Sequence, residues 1–124
     1  MKATKVRQGV RNRRAGRRSE FLCALWLMAK GYQLLGFRLR TSQAEIDLLA
    51  LKKGVVAVVE VKRRRTLGEA IEAVSYAQRR RLEAAARAIG ARRPDLAGKP
   101  VRLDLIALAP GRLPRHIPDA WRDA

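Results

Sequence analysis

Three charged side chains, Asp47, Glu60 and Lys62, interrupt segments that otherwise consist mainly of apolar residues. Glu60 and Lys62 are two positions apart, so on a β-strand their side chains point to the same face. If residues 53–54 form a two-residue hairpin turn, Asp47 stands directly opposite Glu60 on the neighbouring strand. Their Cβ atoms are then about 5 Å apart, close enough for the two carboxylates to share a divalent cation. The spacing therefore predicts a Mg²⁺ or Mn²⁺ site, since both ions prefer oxygen ligands.

A metal held by carboxylates beside a lysine is suited to phosphodiester hydrolysis. The metal would polarise the phosphoryl oxygen and activate a water, and Lys62 would orient that water or neutralise charge on the phosphate. We expect the backbone carbonyl of Val61 to be a further metal ligand. Spacing alone leaves two alternatives open. A three-residue turn would shift the pairing by one residue, and Glu60 with Lys62 also fits an ordinary surface ion pair worth about 0 to 1 kcal/mol.

The composition describes a small and strongly basic protein. Its 28 lysine and arginine residues against 11 acidic residues give a net charge of +17, which a polyanion such as nucleic acid would neutralise. Residues 1–15 are expected to be a basic, disordered arm, followed by a single domain over residues 16–124. No apolar stretch approaches the ~20 residues of a membrane-spanning helix, and the N-terminus lacks the apolar core of a secretory signal. We therefore expect a cytoplasmic protein that does not cross a membrane.

The apolar pattern predicts the elements that must position this site. A helix is expected over residues 17–30, with Phe21, Leu25 and Met28 recurring at helical spacing on its packing face. Four later segments have the alternating or β-branched pattern of strands: Tyr32–Arg40, Glu45–Leu51, Val55–Lys62 and Val101–Leu108.

A second helical stripe runs from Leu67 to Ile89, with a bend expected near Ser75 and an end at Gly90 and Pro94. A short edge strand is expected near His116. The order of helix, three strands, helix and strand predicts an α/β fold, with a mixed β-sheet flanked by helices.

Two arginine clusters are expected to bind phosphates near the site, because few acidic residues compensate them. They are Arg63, Arg64 and Arg65 after the third strand, and Arg79, Arg80 and Arg81 on the second helical stripe. Aromatic residues make up only 5% of the chain, which argues against a base-stacking surface and favours recognition through phosphates and shape.

Gln78 is a polar residue on an otherwise apolar helical stripe. Contact with the active site would explain its presence there. A capping box in which Ser75 and Gln78 begin a new helix would explain it equally, and we favour the capping box.

The segments around these residues resemble a known family. The sequences AEIDLLA at 44–50 and VVEVKRR at 58–64 are similar to those of the YraN-like uncharacterised bacterial family, and the likeness extends to residues 16–20 and 102–106. That family is similar to archaeal Holliday junction resolvases, which belong to the PD-(D/E)-x-K nuclease superfamily.

The resemblance implies a restriction-endonuclease-like fold and a metal-dependent endonuclease that acts on DNA, with branched or structured DNA as the substrate class. It implies that Asp47 and Glu60 bind the metal, that Lys62 is the catalytic lysine and that Glu20 completes the acidic set. Gln78 would occupy the place of a lysine or glutamine that helps to orient the site. Because the related resolvases act as dimers, the resemblance also implies a homodimer.

Two other functions fit the same sequence. A non-catalytic nucleic-acid-binding protein would keep the fold and the basic surface, although acidic residues facing a phosphate backbone would weaken its binding. A ribosome-associated RNA-binding protein would need only the basic arm and the high arginine content. Metal-dependent cleavage distinguishes the nuclease from both.

Overall fold

A five-stranded β-sheet forms the centre of the computed structural model, which describes residues 18–122. The strands are β1 (Gln33–Arg40), β2 (Glu45–Lys52), β3 (Val55–Arg63), β4 (Val101–Leu108) and β5 (Arg115–Ile117). They lie in the sheet in chain order, with β3 and β4 parallel and the other neighbours antiparallel. The predicted mixed sheet is confirmed, and so is the short edge strand that contains His116.

β2 and β3 form the hairpin on which the predicted site depends. Their turn consists of Lys53 and Gly54, whose φ angles of 52° and 78° are both positive, as a type I′ turn requires. Lys52 therefore pairs with Val55, and the register predicted from the sequence is confirmed.

Three helices flank the sheet: α1 (residues 18–29), α2 (Leu67–Glu72) and α3 (Tyr76–Arg92). The bend predicted near Ser75 is confirmed, because Ser75 Oγ accepts a hydrogen bond from the Gln78 N–H and starts a new helix. Of the two residues predicted to end this stripe, Pro94 does so, whereas Gly90 lies within the helix. α3 continues to Arg92 and ends because the residue before Pro94 cannot readily adopt helical geometry. With these helices on the sheet, the predicted α/β fold class is confirmed.

The packing face of α1 differs from the prediction. Phe21, Leu25 and Met28 are 59%, 44% and 44% exposed, so the expectation that this stripe packs into the core is wrong. The buried face instead carries Cys23, Ala24 and Leu27, which are 0%, 2% and 0% exposed. Two small side chains let the helix approach the sheet closely, and the larger apolar residues remain on the outer side.

The sheet has a hydrophobic core on each face. Cys23 and Leu27 of α1 pack with Val59 on one face, whereas Leu82 of α3 packs with Val58 on the other. Because neighbouring residues of β3 face opposite cores, this strand is covered on both sides. The predicted basic arm, residues 1–15, lies outside the described residues. Within residues 18–122, every helix is too short or too polar to span a bilayer.

Candidate functional site

Asp47 and Glu60 come together at the end of the β2–β3 hairpin that is remote from its turn. Regular backbone pairing ends with Leu48 opposite Val59. Immediately beyond it, Asp47 Oδ2 accepts a hydrogen bond of 2.9 Å from the Val61 N–H, which would pair with the β2 backbone if the hairpin continued. The N–H and C=O of one strand residue point to the same neighbouring strand, so the Val61 carbonyl also faces β2.

Both carboxyl groups are largely buried, and both have raised pKa values. Burial, followed by the negative charge of Asp47, raises the pKa of Glu60 to about 8. Burial also raises the pKa of Asp47, although the Val61 N–H and the positive charge of Lys62 oppose that shift. A cation bound between the two groups would therefore stabilise both in their ionised forms.

The two oxygens of the Glu60 carboxyl group have different surroundings. Glu60 Oε1 lies 3.6 Å from Lys62 Nζ, which places Lys62 on the face predicted for it. Glu60 Oε2 is buried and has no hydrogen-bond partner within residues 18–122. An unpaired buried oxygen is costly, and because the carboxyl groups of Glu60 and Asp47 lie within hydrogen-bond reach of each other, either a shared proton or a bound cation would offset that cost.

Glu20 lies on α1 and is held by an arginine that the sequence analysis missed. The Glu20 carboxylate accepts hydrogen bonds from Arg38 Nε and, at 3.2 Å, from Arg38 Nη2. Burial raises the pKa of Glu20, and the negative charge of Asp47 adds to that shift, while the bonds from Arg38 oppose it. Glu20 is thus within electrostatic reach of Asp47 and is held by Arg38, a residue of β1.

The first arginine cluster directly follows Lys62. Arg63 Nη2 donates to Ser19 Oγ at 2.6 Å, and Arg64 Nη1 donates to the carbonyl oxygen of Arg63 at 2.7 Å. Arg65 is 3.8 Å from Glu69, and its side chain is 87% exposed. All three residues are exposed, with Arg63 as the last residue of β3 and Arg64 and Arg65 directly after it.

The second arginine cluster lies elsewhere. Arg79 and Arg80 line a cleft beside Val101, at the beginning of β4, whereas Glu60 pairs with Leu105 further along that strand. Arg81 is exposed on α3. The first cluster therefore follows Lys62 directly, whereas the second lies on α3 and two of its members line a cleft that does not include Asp47, Glu60 or Lys62.

Gln78 lies in the first turn of α3 and is partly buried. Its backbone N–H donates to Ser75 Oγ at 3.0 Å, which is the N-cap half of the predicted capping box.

The uncharacterised protein family UPF0102 matches residues 19–108 of the chain, a range that includes Glu20, Asp47, Glu60 and Lys62. The chain belongs to this family. It is 60% identical over 119 residues to a UPF0102 protein of Caulobacter sp. (strain K31), covering 96% of this chain and 86% of the relative. It is 57% identical over 124 residues to one of Caulobacter vibrioides (strain NA1000 / CB15N), covering 98% and 99%. It is 51% identical over 113 residues to UPF0102 protein amb4503 of Paramagnetospirillum magneticum (strain ATCC 700264 / AMB-1), covering 88% of each.

This UPF0102 protein also contains a buried polar network that the sequence analysis missed. Asp104 is 0% exposed and accepts hydrogen bonds from Arg102 Nε at 2.7 Å and from the Asp119 N–H at 3.0 Å. His116 Nε2 is 2.8 Å from Asp104 Oδ2, and Arg102 Nη2 donates to Tyr32 Oη at 2.9 Å. Burial opposes ionisation of Asp104, but the bonds from His116 and Arg102 outweigh it and lower the pKa of this carboxyl group. The network ties β5 and the chain beyond it to β4.

Proposed function

We propose that this protein is a metal-dependent endonuclease that hydrolyses phosphodiester bonds in DNA. The proposal rests chiefly on the buried carboxyl group of Glu60 next to the partly buried one of Asp47, with Lys62 beside one Glu60 oxygen and the other Glu60 oxygen unpaired within residues 18–122. Buried carboxyl groups this close are costly to ionise together, and a divalent cation would offset that cost.

The available donors suit Mg²⁺ or Mn²⁺. Asp47 and Glu60 offer carboxylate oxygens and Val61 offers its carbonyl, all of which are hard oxygen ligands. Residues 18–122 contain no group of three or more His, Cys, Asp or Glu side chains arranged as a metal site. The proposed site therefore uses two side chains, one carbonyl and water, which is compatible with Mg²⁺ because this ion usually keeps several of its waters.

The remaining groups would prepare the substrate for attack. When bound, the metal would polarise the phosphate and lower the pKa of the attacking water. Lys62 is next to Glu60, and its ammonium group would donate to that water or to a phosphate oxygen. We assign to Glu20 a positioning role, because its ion pair with Arg38 fixes a third acidic group near Asp47.

DNA is the proposed substrate because the chain is strongly basic and Arg63, Arg64 and Arg65 follow the candidate site directly. Branched or structured DNA, and a homodimer to act on it, are proposals that come from the family resemblance.

The experiment is a cleavage assay with labelled duplex, single-stranded and four-way-junction DNA, in the presence of Mg²⁺, Mn²⁺ or EDTA. The wild-type protein is compared with Asp47→Asn, Glu60→Gln and Lys62→Met, and DNA binding is measured in parallel. Glu72→Gln, an exposed carboxylate on α2, serves as the matched control.

Metal-dependent cleavage that is lost in the three site variants but retained in Glu72→Gln would support the proposal, provided that all variants still bind DNA. Binding by the wild-type protein without cleavage of any substrate would contradict it and would favour the non-catalytic nucleic-acid-binding function.

A further inference from the structure

A cleft of about 310 Å³ lies between α3 and the beginning of β4, away from Asp47 and Glu60. Its volume is at the lower end of the range of ligand-binding pockets, roughly 300–1,000 Å³. Two of the six aromatic residues in the chain, Tyr76 and Trp121, line this cleft. Although the whole sequence has few aromatic residues, two aromatic side chains therefore lie in the same cleft.

The two rings are organised around one arginine. The guanidinium carbon of Arg79 is 5.5 Å from the centre of the Tyr76 ring and 5.7 Å from that of Trp121. Trp121 is fixed because its Nε1–H donates to the carbonyl oxygen of Ile71 at 3.0 Å. Arg79 Nε is buried and has no hydrogen-bond partner in the part of the chain that the structure describes.

Tyr76 contributes little to the hydrophobic core. It is 66% exposed at the start of α3, so most of the ring surface is open to a ligand. Proteins commonly stack the bases of single-stranded nucleic acids on exposed aromatic side chains that lie next to positively charged side chains.

Cationic groups complete the cleft. Arg80 and Arg87 line it with Arg79, and Arg87 makes no ion pair within residues 18–122. The two acidic residues of the cleft are each paired with an arginine, since Glu83 is 3.9 Å from Arg80 and Asp119 is 3.8 Å from the Arg122 side chain. The cleft therefore offers positive charge to a phosphate next to an aromatic surface.

We infer that this cleft binds a short single-stranded segment of nucleic acid, with a base against Tyr76, the adjoining phosphate at Arg80 and a following phosphate at Arg87, which lies eleven residues after Tyr76 along α3. This inference extends the proposed nuclease function by naming a second contact for the same substrate. It does not require metal. The cleft is lined by β4 from Val101 to Leu103, and Leu105, the partner of Glu60, is two residues further on, so about 7 Å of β4 separates the nearest points of the two places.

The test is a fluorescence titration in EDTA. Trp26→Phe leaves Trp121 as the single tryptophan of the chain, and its emission is recorded while oligothymidylate or oligouridylate of three nucleotides is added. The variants Tyr76→Ala, Tyr76→Phe and Arg87→Ala are made in this background, with Arg112→Ala in the turn after β4 as a control of equal charge change. Melting curves establish that each variant is folded.

We expect both oligonucleotides to change the emission of Trp121, and tighter binding of one of them assigns DNA or RNA as the ligand. Tyr76→Ala should weaken binding by roughly five- to 150-fold, whereas Tyr76→Phe, which keeps the ring, should bind as the parent does. Arg87→Ala should weaken binding and reduce its dependence on salt, and Arg112→Ala should do neither.

Equal affinities of the parent, Tyr76→Ala and Arg87→Ala would overturn the inference. The outcome is separable from that of the cleavage assay, because Asp47→Asn should bind these oligonucleotides like the parent in EDTA whether or not the protein is a nuclease.

Discussion

Lys62 Nζ lies 3.6 Å from Glu60 Oε1, while Glu60 Oε2 is buried without a hydrogen-bond partner within residues 18–122. Lys62 is therefore close to only one of the two oxygens of the Glu60 carboxyl group. Burial and the negative charge of Asp47 both disfavour the ionised form of this group. The protonation state of Glu60 should accordingly affect both the stability of the fold and the affinity for a cation.

The metal-free protein is expected to lose stability as the pH rises from 4.5 towards 8. The pKa of Glu60 is raised from 4.5 to about 8 in the folded protein, so its stabilising contribution is complete below 4.5 and is lost as the pH rises through the folded value. Glu60→Gln cannot ionise and should lack this part of the pH dependence. Urea unfolding in EDTA across this pH range measures the effect, with Glu72→Gln as control.

The prediction is contradicted if the free energy of unfolding changes equally with pH in Glu60→Gln and in the wild-type protein between these pH values. Glu60 would then not have a raised pKa in the folded protein. In the wild-type protein, Mn²⁺ should restore stability most strongly near pH 8, because fewer protons then compete for the Glu60 carboxylate.

Asp104→Ala is expected to destabilise the protein by roughly 3–5 kcal/mol, because it leaves Arg102 and His116 without their buried acidic partner. The lowered pKa of Asp104 means that its contribution is present at neutral pH and is lost as the pH falls through that lowered value. Chemical unfolding at neutral and acidic pH tests both statements. Asp95→Ala, which removes an exposed ion pair with Arg93, should have little effect. Equal losses in the two variants would contradict the role of the network.

Leu27→Ala and Leu25→Ala distinguish the two faces of α1. Leu27 is fully buried, so its truncation should cost about 2–5 kcal/mol, whereas Leu25 is 44% exposed and its truncation should cost less than about 1 kcal/mol. The free energy of unfolding in urea measures the difference. A larger loss at Leu25 would mean that the helix packs through the face first predicted from the sequence.

Ser75→Ala and Gln78→Ala separate the two explanations of Gln78. Loss of the Ser75 cap should destabilise the protein by about 1 kcal/mol without changing its chemistry. Gln78→Ala should leave the proposed metal-dependent cleavage intact, since the capping bond at position 78 uses the backbone N–H and does not need the glutamine side chain. A loss of cleavage at unchanged stability would assign Gln78 to the active site instead.

The β2–β3 hairpin could be predicted because its determinants are local. Two turn residues set the register, which holds as far as Leu48 opposite Val59, the residues next to Asp47 and Glu60. The same period-two pattern places Glu60 and Lys62 on one face. Each step needed only neighbouring residues and the geometry of a strand.

The partners of Glu20 and Asp104 could not be predicted in this way. Arg38 is 18 positions from Glu20, and His116 is 12 positions from Asp104, so only the folded chain brings these groups together. The packing face of α1 was also ambiguous, because large apolar residues occur on both sides of the helix. The clustering of Tyr76 and Trp121 around Arg79 is a tertiary arrangement that composition cannot reveal.

β3, which carries Glu60 and Lys62, is paired with β2 on one side and β4 on the other, and hydrophobic cores cover both of its faces. Its backbone has little freedom to adjust, and its amide hydrogens should be among the slowest in the protein to exchange with solvent. A rigid strand holds its side chains, here those of Glu60 and Lys62, at a fixed spacing when a ligand binds. On the proposed nuclease function, we therefore expect the nucleic acid, rather than the protein, to bend or unstack on binding, so that the preferred substrates would be those already distorted or easily deformed.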